Sequence, residues 1–185
     1  VQGGEYEDLR RHCVEELVKM DFDGYSIGGT SVGEDKKTQY KMVRYATSYL
    51  PKDKVRYLMG VGDPIDIVEN VCNGVDIFDC VSPTRLARHG HALTRYGKIN
   101  IKNAKYKEDF TPVEEGCTCY ACQNYTKAYI KHLINCEETF GARLLSIHNI
   151  HYLINLTEEL RSAIKEDRLL KYREEFIKNY YGKLQ

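Results

Sequence analysis

The first eighty positions alternate between two hydrophobic rhythms. Glu5 to Met20 places Leu9, Cys13, Leu17 and Met20 at helical spacing, predicting a helix with those residues on one face. Gly24 to Ile27 is short, apolar and closed by Gly28-Gly29, which reads as a strand and its turn. Asp35 to Tyr49 returns to helical spacing and is stopped at Leu50-Pro51, because a residue before proline avoids the helical region. Val55 to Met59 is a second strand ending at Gly60. Pro64 to Cys72 is a short helix with proline in its first turn, and Val75 to Asp79 is a further strand. Val1-Gln2 reads as the end of another strand.

Beyond Asp79 the rhythm changes. Ala92 to Thr94 and Lys98 to Ile101 can pair as a hairpin across Tyr96-Gly97. Tyr125 to Cys136 reads as a helix. Ala142 to Tyr180 is mostly helical, with Leu145, Leu153, Leu156, Leu160 and Ile164 at apolar positions, and is long enough to predict a break.

Four short strands separated by helices predict a parallel α/β sheet. The spacing suits half of a TIM barrel, since a complete one needs eight such units and about 250 residues.

Composition narrows the class. The 185 residues are 42% hydrophobic and 29% charged, as in a globular domain, and no apolar run approaches the roughly 20 residues of a membrane span. No charged-then-apolar leader is read at the start, so the cytoplasm is the expected compartment. The net charge is zero, yet from Cys80 to Lys107 there is no Asp or Glu. That stretch carries Arg85, Arg88, Arg95, Lys98, Lys102, Lys105 and Lys107 with His89 and His91, a local stripe suited to a nucleic acid or another polyanion.

Seven cysteines, an odd number, argue against a disulfide framework. Cys117, Cys119 and Cys122 share one tight loop, and three thiols so close predict a structural zinc site closed by a fourth protein ligand. Spacing leaves that ligand open among His132, His148, His151 and Cys136.

Chemistry in a parallel α/β barrel gathers at the carboxyl ends of the strands. Those ends read Gln2-Gly3-Gly4, Gly28-Gly29-Thr30, Met59-Gly60-Val61-Gly62 and Phe78-Asp79-Cys80. Glycines admit a flat ligand close to backbone amides. Gln2 offers a donor and an acceptor together, and Met59 a polarizable surface for a ring. Asp79 is a carboxylate ending an apolar strand, costly there without a partner or a task.

Phe78-Asp79-Cys80-Val81-Ser82-Pro83-Thr84-Arg85, Arg56-Tyr57-Leu58-Met59-Gly60-Val61-Gly62, Gly28-Gly29-Thr30-Ser31-Val32-Gly33-Glu34 and the Cys-x-Cys-x-x-Cys cluster together resemble the bacterial tRNA-guanine transglycosylases. The resemblance runs from Val1 to about Ile164. It implies exchange of wobble guanine in a tRNA with a GUN anticodon for a 7-deazaguanine, preQ1 or queuine, on the route to queuosine. It implies that Asp79 is the nucleophile that holds the RNA covalently. It further implies that Gln2, Gly28, Gly29 and Met59 meet the base, and that Gly60, Val61, Gly62, Asp63, Pro64, Ile65 and Asp66 with Thr84, Arg85, Leu86, Ala87 and Arg88 meet the RNA. Zn2+ would be held by Cys117, Cys119, Cys122 and His148, in a homodimer.

The same resemblance divides the chain into a half-barrel over 1–95 with the base pocket and nucleophile, a zinc-binding subdomain over 96–150, and a helical segment over 151–185. The turn departs from the family's usual Gly-Gly-Leu-Ala-Val-Gly-Glu at Thr30 and Ser31, while Val32 keeps the pattern and favours the smaller aminomethyl base. The family's N-terminal half, with a second essential aspartate, has no counterpart here. The 185-residue chain alone is therefore expected to exchange little guanine. A noncatalytic, zinc-stabilised tRNA-binding subunit is the alternative.

Overall fold

The computed structural model describes residues 1–30 and 33–182. Ser31 and Val32, on which the base-size expectation falls, lie outside the described residues. The chain divides into two compact units, 1–80 and 81–185.

The first unit is a parallel sheet with helices between its strands. Strands β1 (Gly24–Ile27), β2 (Val55–Leu58) and β3 (Ile77–Phe78) pair in that order. Helix α1 (Glu7–Val18) precedes the sheet, α2 (Lys36–Tyr49) joins β1 to β2, and α3 (Pro64–Cys72) joins β2 to β3. Asp35 caps α2 by accepting from the Lys37 and Thr38 amides, and Asp63 caps α3 through the Ile65 amide ahead of Pro64. Leu50 is extended at the end of α2, as its position before Pro51 requires. Val14, Tyr25, Ile27, Val43, Ala46, Leu58, Val61 and Val75 form the core.

Three expectations are corrected here. Helix α1 is shorter than Glu5 to Met20, and its face is rotated: Leu9 and Met20 are exposed, whereas Arg10 and Val14 are buried with Cys13 and Leu17 beside them. A buried arginine looks polar in a periodicity count, so the true face was masked. Strand β3 is confined to Ile77–Phe78 rather than Val75 to Asp79. Val1-Gln2 is not an assigned strand, although the Gly28 amide donates to the Val1 carbonyl at 3.1 Å beside β1.

The second unit opens with α4 (Ser82–Arg88) and an antiparallel hairpin, β4 (His91–Thr94) with β5 (Gly97–Asn100). Helices α5 (Tyr120–Asn124), α6 (Lys127–Asn135), α7 (Thr139–Lys165) and α8 (Leu169–Tyr181) follow. The predicted break falls between α7 and α8, where Asp167 takes a φ of 52°. Helix α7 spans 27 residues and packs against α4, α5, α6 and β4. Its Leu144 and Leu145 enter a core with Ala87, Ala92, Ile101, Ile130 and Leu133.

Asn149 on α7 ties this unit together. It is fully buried, accepts the Leu93 amide at 2.8 Å, and donates to the Pro83 and His91 carbonyls at 2.9 and 3.1 Å. One side chain thus links backbone groups of α4 and β4, and the Leu93 amide and His91 carbonyl of β4 would otherwise be orphaned inside the core.

Candidate active site and metal centre

The parallel register builds the first site. Ile27, Leu58 and Phe78 are paired neighbours, so the next residues, Gly28, Met59 and Asp79, leave the sheet side by side at one end. With a side-chain period of two, they share the parity of Ser26, Tyr57 and Ile77. That is the face opposite the one on which Tyr25, Ile27 and Leu58 are buried.

Gln2 lies over the Gly28-Gly29 turn. A Cβ on Gly28 would fall 2.6 Å from Gln2 Nε2 and 3.8 Å from Met59 Sδ, and one on Gly29 would fall 2.6 Å from Gln2 Oε1. Gly29 also has a φ of 61°, open to glycine at little cost. Glycine is therefore required at position 29 by conformation, and at both positions it lets the Gln2 side chain lie close against the turn. Gln2, Gly28, Gly29 and Met59 thus border one ledge, and Met59 is 47% exposed above it.

Asp79 is exposed and well held. The Tyr57 hydroxyl donates to its Oδ1 at 2.5 Å and the Gly60 amide to the same oxygen at 2.9 Å. The Tyr57 hydrogen bond first, and the Gly60 amide second, hold the carboxyl below its ordinary range. The same bond raises the Tyr57 phenol. Asp79 is thus an exposed carboxylate held in its ionised form, with Oδ1 fixed by two donors. Tyr57 was not singled out from the sequence. The signal was present, since it stands two residues before Met59 on the same side of β2.

The remaining predicted contacts of this unit are less exposed. Val61, Pro64, Ile65 and Asp66 are buried, whereas Gly60 and Asp63 are exposed. Asp66 receives the Tyr40 hydroxyl at 2.7 Å and the Lys36 ammonium, and this pairing joins α2 to α3. In the second unit Arg85 and Arg88 project from α4, Leu86 is half-buried and Ala87 is in the core. Lys98, Lys102, Lys105 and Lys107 are exposed, while Arg95 is engaged by Glu159 at 2.8 Å.

The second unit also gathers the sulfur ligands. Cys117, Cys119, Cys122 and His148 bring their ligand atoms within 4.8 Å of one another. His148 Nδ1 is 3.7, 3.6 and 3.3 Å from the Sγ atoms of Cys117, Cys119 and Cys122. A tetrahedral zinc with ordinary Zn–S and Zn–N bonds would set that separation at about 3.5 Å, so the donor set fits zinc. The hydrogen bond with Cys122 first, and that with His148, lower the Cys119 thiol, while the same Cys119–Cys122 bond raises the Cys122 thiol, so the pair shares a proton that a metal would displace.

The imidazole is oriented from behind. His148 Nε2 is 2.8 Å from the Leu93 carbonyl, which accepts its proton and leaves Nδ1 facing the sulfurs. The other candidates lie elsewhere: His132 and Cys136 face each other at 3.9 Å, and His151 contacts Thr118 and Asn155.

Among the described residues no helix is long and apolar enough to cross a membrane. A family model described as queuine tRNA-ribosyltransferase matches residues 1–182. The chain is 56% identical over 182 residues to the queuine tRNA-ribosyltransferase of Caldanaerobacter subterraneus subsp. tengcongensis, covering 98% of this chain and 48% of that relative. Queuine tRNA-ribosyltransferases of Staphylococcus aureus strain JH9 and Macrococcus caseolyticus are each 56% identical over 180 residues, covering 97% of this chain and 48% of theirs. The chain spans about half the length of the curated relatives it matches. Matched along nearly its whole length by that model, the chain belongs to the queuine tRNA-ribosyltransferase family.

Proposed function

We propose that this chain carries the nucleophile, base ledge and zinc-binding portion of a tRNA-guanine transglycosylase acting in queuosine biosynthesis. The observation that carries the reading is Asp79, held by Tyr57 and Gly60 at the strand end beside the Gly28, Gly29 and Met59 ledge.

In this reading a wobble guanosine is taken out of its stack and its base lies on the ledge, against Gln2 and Met59. The free Asp79 oxygen attacks C1′ of the ribose. The C1′–N9 bond breaks, guanine leaves with its electron pair, and the RNA is held as a glycosyl ester of Asp79. The departing guanine takes a proton at N9 from solvent; an incoming 7-deazaguanine then gives up its own N9 proton, forms the N9–C1′ bond and releases the carboxylate. Two displacements retain the anomeric configuration.

The sheet supports a half-barrel. Ser26 and Ile77 are exposed on the face that also bears Tyr57, and parallel sheets are ordinarily covered on both faces. A closed barrel would turn that face inward and set Asp79 at its mouth. Residues 1–95 take the ledge and nucleophile, 96–150 the zinc site, and 151–185 the closing helices. Residues 81–95 nevertheless pack with the second unit, and α7 continues across position 150.

Zinc held by Cys117, Cys119, Cys122 and His148 would have no open position and would serve as a structural brace. The exposed cations from Arg85 to Lys107 suit tRNA phosphates. Exposed Tyr120 and Tyr129 flank Tyr125 next to the cysteine loop, and they support a homodimer joined near the zinc subdomain; a tRNA-modifying role implies the cytoplasm.

Incorporation of labelled guanine into unmodified tRNA with a GUN anticodon by the full-length gene product tests the reading. Exchange is expected, whereas its absence in folded, zinc-loaded protein would overturn it. These 185 residues in isolation should exchange little, because the relatives are about twice as long.

A further inference from the structure

The base ledge rests on a buried cation. Arg10 on α1 is fully buried, and its neighbours among the described residues are carbonyl oxygens rather than a carboxylate at ion-pair distance. Nε donates to the Gly4 carbonyl at 2.7 Å. Nη1 and Nη2 both reach the Gly28 carbonyl at 3.3 Å, and Nη2 donates to the Gly29 carbonyl at 3.0 Å. Nη2 also lies 3.6 Å from Met42 Sδ. Burying a guanidinium is costly unless its donors are engaged, and here they are spent on three carbonyls of two glycine turns.

Those carbonyls belong to the turns on which Gln2 and the ledge are built. Described peptides are trans, and a trans peptide sets C=O and N–H on opposite sides. With the Gly28 and Gly29 carbonyls turned to Arg10, the Gly29 and Thr30 amides must face away from it. Two consecutive glycines have little intrinsic reason to keep that orientation, and Gly29 is already in a left-handed conformation. The planar fork touches Gly4, Gly28 and Gly29 at once, which a single ammonium cannot do.

We propose that Arg10 is a positioning residue for base recognition: by holding the Gly28 and Gly29 carbonyls, it aims the Gly29 and Thr30 amides at a heterocycle edge and keeps the Gln2 turn against them. The inference rests on the transglycosylase reading and adds to it the element that preorganises the base pocket. Arg10 touches neither the base nor the reacting atoms.

The test uses the full-length gene product with Arg10→Met, near in volume, and Arg10→Lys, which keeps the charge without the fork. Affinity for guanine is measured by calorimetry and exchange is followed with base and tRNA varied separately. Arg10→Met should weaken guanine binding and raise the KM for the base about tenfold to a hundredfold, as expected for a misplaced binding group. Its tRNA affinity and zinc content should match wild type, and Arg10→Lys should fall between the two.

Guanine affinity within twofold of wild type in folded Arg10→Met overturns the inference and leaves the transglycosylase reading standing. Wild-type protein that binds no guanine overturns both. Should neither variant fold, residue-resolved amide exchange on the unmutated protein decides. Guanine should protect Gly29 and Thr30, and unchanged exchange at both overturns the proposal.

Discussion

The Tyr57 hydroxyl donates to Asp79 Oδ1 at 2.5 Å, bridging the neighbouring strands β2 and β3 at the end where Gly28, Met59 and Asp79 emerge. This bond is the largest contribution holding the Asp79 carboxyl below its ordinary range, with the Gly60 amide next. Tyr57→Phe removes the bond and keeps the ring. The Asp79 carboxyl should then rise, so protonation begins at higher pH and the acid limb of the exchange profile moves upward. A pH–rate series on the two proteins checks this, and an acid limb that stays in place contradicts it.

The metal centre makes a second prediction. His148 closes the site from α7, and the Leu93 carbonyl fixes its ring. His148→Ala should weaken zinc binding by more than about a hundredfold, beyond what is usual for loss of a supporting contact. Cys136→Ser should leave zinc content at wild-type level. Zinc should be released on acidification, because thiolates and imidazole must lose protons to bind it. Metal analysis after dialysis against a chelator measures each, and equal retention by His148→Ala would reject this ligand set.

Stability should depend on Asn149. Asn149→Ala strands the Leu93 amide and the His91 carbonyl inside the second unit and removes a second donor from the Pro83 carbonyl. An unsatisfied buried group costs about 1–3 kcal/mol, so the loss of two partners should cost about 2 kcal/mol or more. Denaturant unfolding of the zinc-loaded protein measures it, and a loss below about 1 kcal/mol would show that these groups find other partners.

The parts of this architecture readable from residues were those with local causes. Asp35 and Asp63-Pro64 announce helix starts through capping, and Leu50-Pro51 announces a stop. Gly28 and Gly29 mark a close approach that the structure supplies through Gln2. What stayed hidden depends on distant partners. Arg10 counts as polar along the chain, yet it is buried because three carbonyls from two turns surround it. The fourth ligand position could not be chosen by spacing, since a 27-residue helix presents His148 and His151 one turn apart and only packing aims one at the sulfurs. Asn149 gave no warning, because its partners are backbone groups 56 to 66 positions away.

The central claim is that Asp79 forms the covalent bond to RNA. The direct measurement mixes full-length gene product with a tRNA bearing a GUN anticodon, denatures the sample, and separates protein–RNA adducts from free RNA by gel electrophoresis. Wild-type protein should give an adduct that added guanine discharges. Asp79→Ala should bind the tRNA, keep its zinc and give no adduct. An adduct of wild-type yield from Asp79→Ala would contradict the account.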